Sequence, residues 1–260
     1  MSATTYETPT LDVSETPRIP LTGLTRVELR KLVDTRASRW LLIAIGLITA
    51  AAIGIFFFAA DQSDRVFLNF IGFAATPQAF LLPVLGILLI TSEWSQRTAL
   101  VTFTLMPVRG RVLLAKVIAA LIAGLLAIAV AVGVAALATV AGGAENAWVD
   151  IGVDDFAKFG LLQVTGVLQG LAFGLLFLNS AAAIVSFFVL PTVFSIVANV
   201  WDTLRDAAPW VDLATAQTPL FEGGANLSGE QWWQVVVTTL IWVVLPFAVG
   251  LVRVLRAEVK

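Results

Sequence analysis

The sequence predicts an all-helical (all-α) integral membrane protein. It has six transmembrane helices, an N-terminal interfacial amphipathic helix ahead of the first, and both termini on the cytoplasmic side. Three observations carry this prediction. Hydrophobic residues make up 58% of the 260-residue chain and charged residues 13%, well below the roughly one-quarter charged share of a soluble domain. Apolar stretches long enough to cross a bilayer recur six times. The basic residues crowd into the segments on one side of those stretches.

Residues 1–20 are rich in Thr, Ser, Pro and Glu. They have no apolar face to offset the entropy of ordering and read as a disordered tail. No apolar core follows a basic start, so they are not a cleavable signal peptide. The remainder, 21–260, reads as one transmembrane domain.

Residues 22–40 predict a helix. Thr25-Arg26-Val27-Glu28 fits a capping box, in which the Thr hydroxyl and the Glu carboxylate each satisfy a free backbone N–H. Leu24, Val27, Leu29, Leu32, Val33 and Trp40 roughly fill one side, and Arg26, Arg30, Lys31, Arg36 and Arg39 fall mostly elsewhere. A basic amphipathic helix leading into a span lies in the headgroup plane.

The first span is 41–60, and Asp61 to Arg65 is a tight polar turn. The second span, 66–90, holds Asn69, Pro77, Gln78 and Pro83. Its two prolines predict a kinked or locally broken helix, tolerated where neighbours re-satisfy the freed carbonyls. The third span, 112–140, is nearly unbroken Ala, Val, Leu and Ile, longer than a bilayer needs, which implies tilt or protrusion. Residues 141–158 are acidic, with Glu145, Asp150, Asp154 and Asp155, and carry Trp148 as an interface residue.

Spans four and five, 159–178 and 181–200, are separated only by Asn179 and Ser180. One helix over both would run roughly 63 Å, about twice the hydrocarbon core, so a turn belongs at Asn179. Residues 201–231 form an outer segment with Pro209-Trp210 and Trp232-Trp233 as interface anchors, of which 207–221 is apolar enough to dip back toward the membrane. The sixth span is 235–252, followed by Arg253, Arg256 and Lys260. On this topology the inner segments also hold Arg18, Arg97, Arg109, Arg111 and Lys116, while the outer ones hold only Arg65, Lys158 and Arg205.

The chain has no Cys and no His. That removes disulfides, Cys/His metal sites, and nucleophile systems built on His. None of its four lysines follows a Gly, so it carries no phosphate-binding loop. Polar residues within the spans are uncharged, which argues against a proton-coupled carrier. Asn69, Gln78, Gln163, Gln169 and Asn199 are candidates to face a substrate pathway, with interhelical hydrogen bonding as the plainer role for each. Gly166, Gly170 and Gly174 form a small-xxx-small ladder that lets another helix approach, within one subunit or between two.

Between the second and third spans lies the main polar interruption of the basic side, residues 91–116. Glu93 stands four residues before Arg97, a spacing that suits a helical ion pair. Residues 98–106 are amphipathic, Pro107 stops the helix, and Arg109-Gly110-Arg111 turns the chain toward Lys116. A basic loop snorkelling to anionic lipid explains the arginines. It explains less well the combination of Glu93, the amphipathic piece and the Pro turn.

Glu93-Trp94-Ser95-Gln96-Arg97-Thr98, then Leu105-Met106-Pro107-Val108-Arg109-Gly110-Arg111 and Ala115-Lys116, resembles the type 2 ATP-binding-cassette (ABC) permeases of bacterial exporters. The basic entry helix and the six-span order resemble that family too. Arg97 stands where many members have Gly. The resemblance implies a helix on this loop that docks on a separate ABC-type ATPase subunit. It also implies a dimer, with a second copy or a paralogous permease, around a central pathway in the bacterial cytoplasmic membrane. ATP and Mg would be held by the partner ATPase and no cofactor by this chain, which would be a transport subunit rather than an enzyme. No nucleic acid partner is implied.

On that reading the coupling residues are Glu93, Arg97, Thr98, Phe103, Pro107, Arg109 and Arg111. Glu28, Arg30, Lys31, Arg36 and Arg39 act from the entry helix. Two rivals stand beside it. An ATP-independent channel or sensor anchor predicts tolerance of changes between Arg97 and Arg111. An intramembrane enzyme with Glu93 as base lacks the paired acid, His or Ser that such chemistry needs.

Overall fold

A computed structural model describes residues 19–149, 151–221 and 227–256, apart from the Asn199 side chain. The tail at 1–18, with Arg18, and also Asp150, Glu222 and Lys260 lie outside the described residues. Those described are helical, with no strand among them.

Among the described residues six helices are long and apolar enough to cross a membrane. They are α2 (Arg36–Ala59), α3 (Phe67–Ser95), α5 (Arg109–Gly142), α6 (Val153–Phe177), α7 (Ser180–Val200) and the composite run Gly229–Arg256. That last run comprises α10 (Gly229–Thr239), a wide π turn at Leu240–Val244, and α11 (Leu245–Arg256). Shorter helices are α1 (Leu21–Asp34), α4 (Ala99–Leu105), α8 (Asp202–Val211) and α9 (Leu213–Phe221).

The expected 22–40 helix is two helices, with the break at Thr35, whose ψ of 134° is extended. Arg36, Arg39 and Trp40 therefore start the first long helix. The capping box at Thr25 and Glu28 does not form, because α1 already begins after Pro20. The Pro20 carbonyl accepts from the N–H groups of Gly23 and Leu24. Thr25 and Glu28 are instead one helical turn apart on the buried face, with Leu32, while Val27 and Val33 are exposed.

α6 and α3 are the most enclosed of the long helices, and their backbones touch. The ladder explains it. A Cβ added at Gly170 would lie 2.0 Å from the Pro83 carbonyl oxygen, and one at Gly174 would lie 3.2 Å from that of Ile87. Gly86 of α3 answers from the other side, 2.7 Å in the same sense from the Val167 carbonyl oxygen. The ladder thus packs within one subunit. α3 runs unbroken through Pro77 and Pro83, where a locally broken helix was one expectation. On another side of α6, Gly250 of α11 lies against the backbone of Leu175 and Leu176.

The turn between α6 and α7 falls at Leu178 and Asn179. Leu178 is left-handed (φ 54°) and the Asn179 side chain caps the N–H of Ala182 at 3.0 Å. Residues 202–221, expected as an outer segment of which 207–221 dips back, form a helical hairpin, α8–α9. Its turn is held by Asp212, which accepts from the Ser195 hydroxyl at 2.9 Å and the Thr215 hydroxyl at 2.6 Å. Beside it, Trp242 donates to the Val211 carbonyl at 2.7 Å. Trp242 lies midway along the last long helix, so this hairpin packs against that helix. At the bundle's other end, Arg109 donates to the Val254 carbonyl and Arg111 to that of Ile19, each at 2.8 Å.

Candidate functional site

Four charged side chains from three helices meet where α1 and α4 join the long helices. Glu93 comes from the last turn of α3. Lys116 comes from the second turn of α5. Glu28 and Lys31 lie one turn apart on α1, so both reach the same neighbour. Lys116 Nζ lies 2.6 Å from Glu28 Oε2 and 3.1 Å from Glu93 Oε1. Lys31 Nζ lies 2.8 Å from Glu28 Oε1 and 2.7 Å from Glu93 Oε1. The set is neutral: two acids, two bases, each touching both of the opposite sign.

This set is enclosed. Side-chain exposure is 2% for Lys116, 4% for Glu28 and 5% for Glu93, against 35% for Lys31. Lys116 also donates to the Leu89 carbonyl at 3.1 Å. Buried ion pairs repay their desolvation poorly, so such a set does more to hold helices in one register than to add stability. Burial works against the charge on Lys31, but the Glu93 and Glu28 carboxylates outweigh it and hold the Lys31 ammonium above the ordinary lysine value. Its contribution is therefore complete below the unfolded value, about 10.4, and is lost only as pH rises through the folded one.

The α3–α4 junction hangs on the same residue. The Glu93 carbonyl accepts from the Thr98 N–H at 2.8 Å, and its carboxylate from the Thr102 hydroxyl of α4 at 3.3 Å. A cleft of about 300 Å³ lies between α1, α3 and α4, with Lys31, Thr35, Glu93, Gln96 and Thr102 on its walls. On the inner face of α4, Ala99 and Phe103 are buried. Phe103 lies against Trp94 and under the Arg109 guanidinium, 5.0 Å from its ring centre. On the outer face Leu100, Val101 and Leu105 are exposed, Leu105 by 76%, as is Val108 just beyond.

Of the sequence-derived coupling residues, Glu93, Thr98, Phe103 and Arg109 come together here, and Arg111 ties the start of α5 to Ile19. Pro107 follows α4 directly. The expected helical pair of Glu93 with Arg97 does not form. α3 ends at Ser95, and Arg97 sits exposed in the left-handed region at φ 57°. On α1 and α2, Glu28 and Lys31 enter the charged set, while Arg30, Arg36 and Arg39 are exposed. The sequence reading missed the part played by Lys116 and Thr102. A lysine at the start of an apolar run was the available signal for Lys116, since it needs a carboxylate once enclosed.

The pathway candidates separate. Gln163 donates to Gln78 at 2.7 Å, and Gln78 donates to the Ala127 carbonyl at 2.9 Å. These two amides join α3, α5 and α6 instead of facing an opening. Gln169 is buried in α6. Asn69 is exposed and lines a second, larger cavity at the opposite end. The Asn199 side chain lies outside the described residues. Among the described residues no group of His, Cys, Asp and Glu is arranged to hold a metal. Comparison with known proteins returned no match, either to a family model or to a curated protein.

Proposed function

We propose that the chain is the membrane-spanning permease subunit of an ABC exporter of type 2, with α4 as the element on which a separate ATPase docks. One observation carries this reading. α4 is a seven-residue helix standing between two long apolar helices. It presents an exposed apolar face of Leu100, Val101 and Leu105, while its inner face is tied through Glu93 to α1, α3 and α5. A lipid-facing loop has no need of that internal wiring. A docking element that must pass displacement to several helices does.

The excess of basic residues at this end supports a cytoplasmic orientation for it, on the positive-inside rule. α1 lies in the headgroup plane there, its exposed Arg26 and Arg30 toward lipid phosphates. Two such subunits form the pathway in a bacterial cytoplasmic membrane. ATP and Mg belong to the partner, whose closure pushes α4 and, through the charged set, the long helices.

Leu105 offers the direct test. It is exposed, so Leu105→Glu leaves the bundle intact. Wild-type protein purified from its native membrane is expected to bring an ATPase with it, and the variant to lose it. An eluate without ATPase activity, or retention undiminished by Leu105→Glu, overturns the assignment.

A further inference from the structure

At the end of the bundle opposite the charged set, a cavity of about 960 Å³ opens between α3, the α5–α6 connection, α6 and α9. It is of the size that encloses a drug-sized molecule. Its walls combine two chemistries. Phe156 and Phe221 offer exposed rings, with Phe73 exposed at one face and stacked on Phe56 at the other, and Asn69 and Glu145 offer oxygens. Among the described residues no Lys or Arg lines it.

The nearest cations are accounted for. Arg65 is turned onto the Ala60 carbonyl and the Phe57 ring. Lys158 pairs with Asp154 at 3.3 Å and lies 3.8 Å from Asp155, whose other oxygen caps the Gly152 N–H. Glu145 is exposed and has no ion pair among the described residues. The cavity rim therefore carries net negative charge beside aromatic faces, and ring faces attract cations.

The cavity continues along one face of α3. Asn69, Phe73, Thr76 and Phe80 follow at helical spacing and are all exposed, and Phe80 reaches the Phe188 ring of α7 at 6.1 Å. Gln78 and Ala74 are buried on α3, with Gln78 spent on α5 and α6. This partly exposed face, with Phe73 stacked on Phe56 and Phe80 near Phe188, thus runs from the cavity toward mid-helix.

We infer that this cavity is a binding site for amphipathic organic cations, with rings taking the apolar body and Glu145 facing the charge. As the exit end of a transport path it rests on the permease reading; as a binding site it does not. A lipid chain would fill the rings but has no use for the carboxylate.

Tetraphenylphosphonium and tetraphenylborate, alike in shape and opposite in charge, separate these occupants. Binding of each is measured to the chain alone in nanodiscs, against Glu145→Gln and Phe156→Leu, both at exposed positions. Saturable phosphonium binding is expected, weakened about threefold to fivefold by either change. Tetraphenylborate, which the Glu145 carboxylate repels, should bind no more weakly after Glu145→Gln. Absence of saturable phosphonium binding overturns the inference, as do variants that bind it like wild type or shift both ions equally. Because no ATPase is present, failure here leaves the docking assignment standing, and loss of that assignment leaves this site standing.

Discussion

Replacing Lys116 with methionine is expected to destabilise the bundle by about 3–5 kcal/mol, the range for breaking a buried ion pair from one side. Methionine fills much of the lysine stem, so packing loss is small. What remains is two enclosed carboxylates, Glu28 and Glu93, sharing Lys31 alone, and a Leu89 carbonyl without its donor. Adding Glu28→Leu to Lys116→Met restores neutrality with the Lys31–Glu93 pair intact, and more than half of the loss should return. Denaturant unfolding in detergent measures both. A single variant as stable as wild type would mean that the set is not enclosed as described.

Gly170→Ala is the second large effect. The new methyl carbon would meet three backbone atoms of Pro83, the oxygen at 2.0 Å and the carbonyl and α carbons at 2.7 Å. Backbone in a helix interior cannot rotate away as a side chain can. α3 and α6 must part, at or above the upper end of the roughly 1–3 kcal/mol usual for overpacking. Gly160→Ala on the same helix meets nothing within 4 Å and should gain slightly from helix propensity. Equal unfolding midpoints for the two variants would contradict the close crossing.

Hydropathy made the long helices legible, because a span must satisfy its own backbone and shed its charges, and both demands are local. The Asn179 turn was legible for a similar reason, since an unbroken helix would outrun the bilayer. Spacing was less dependable. Thr25 and Glu28 have the spacing of a cap, and Glu93 and Arg97 that of a helical pair. In both cases a helix boundary a few residues away changed the outcome. Glu28 and Lys116 are 88 residues apart, and no local pattern joins them. Gln78 and Gln163 were candidates to face a pathway, with interhelical hydrogen bonding as the plainer role, and packing alone shows that they bond to each other. The α8–α9 turn was only partly legible: Asp212 accepts locally from Thr215 of α9, but also from Ser195 of α7, seventeen residues earlier, which no local pattern announces.

On the proposed function, Glu93 transmits ATP-driven displacement of α4 to the far end of the bundle. The chain has no native cysteine, so Val153→Cys, 86% exposed at the start of α6, takes a single environment-sensitive fluorophore. The labelled protein is reconstituted with the ATPase that the proposed function expects to co-purify, and the fluorescence response to ATP is compared with and without Glu93→Gln, which keeps the side chain's shape. The labelled parent should respond to ATP, while the Glu93→Gln version retains the ATPase and its hydrolysis but loses most of the response. A Glu93→Gln protein that responds like its parent would contradict the claim.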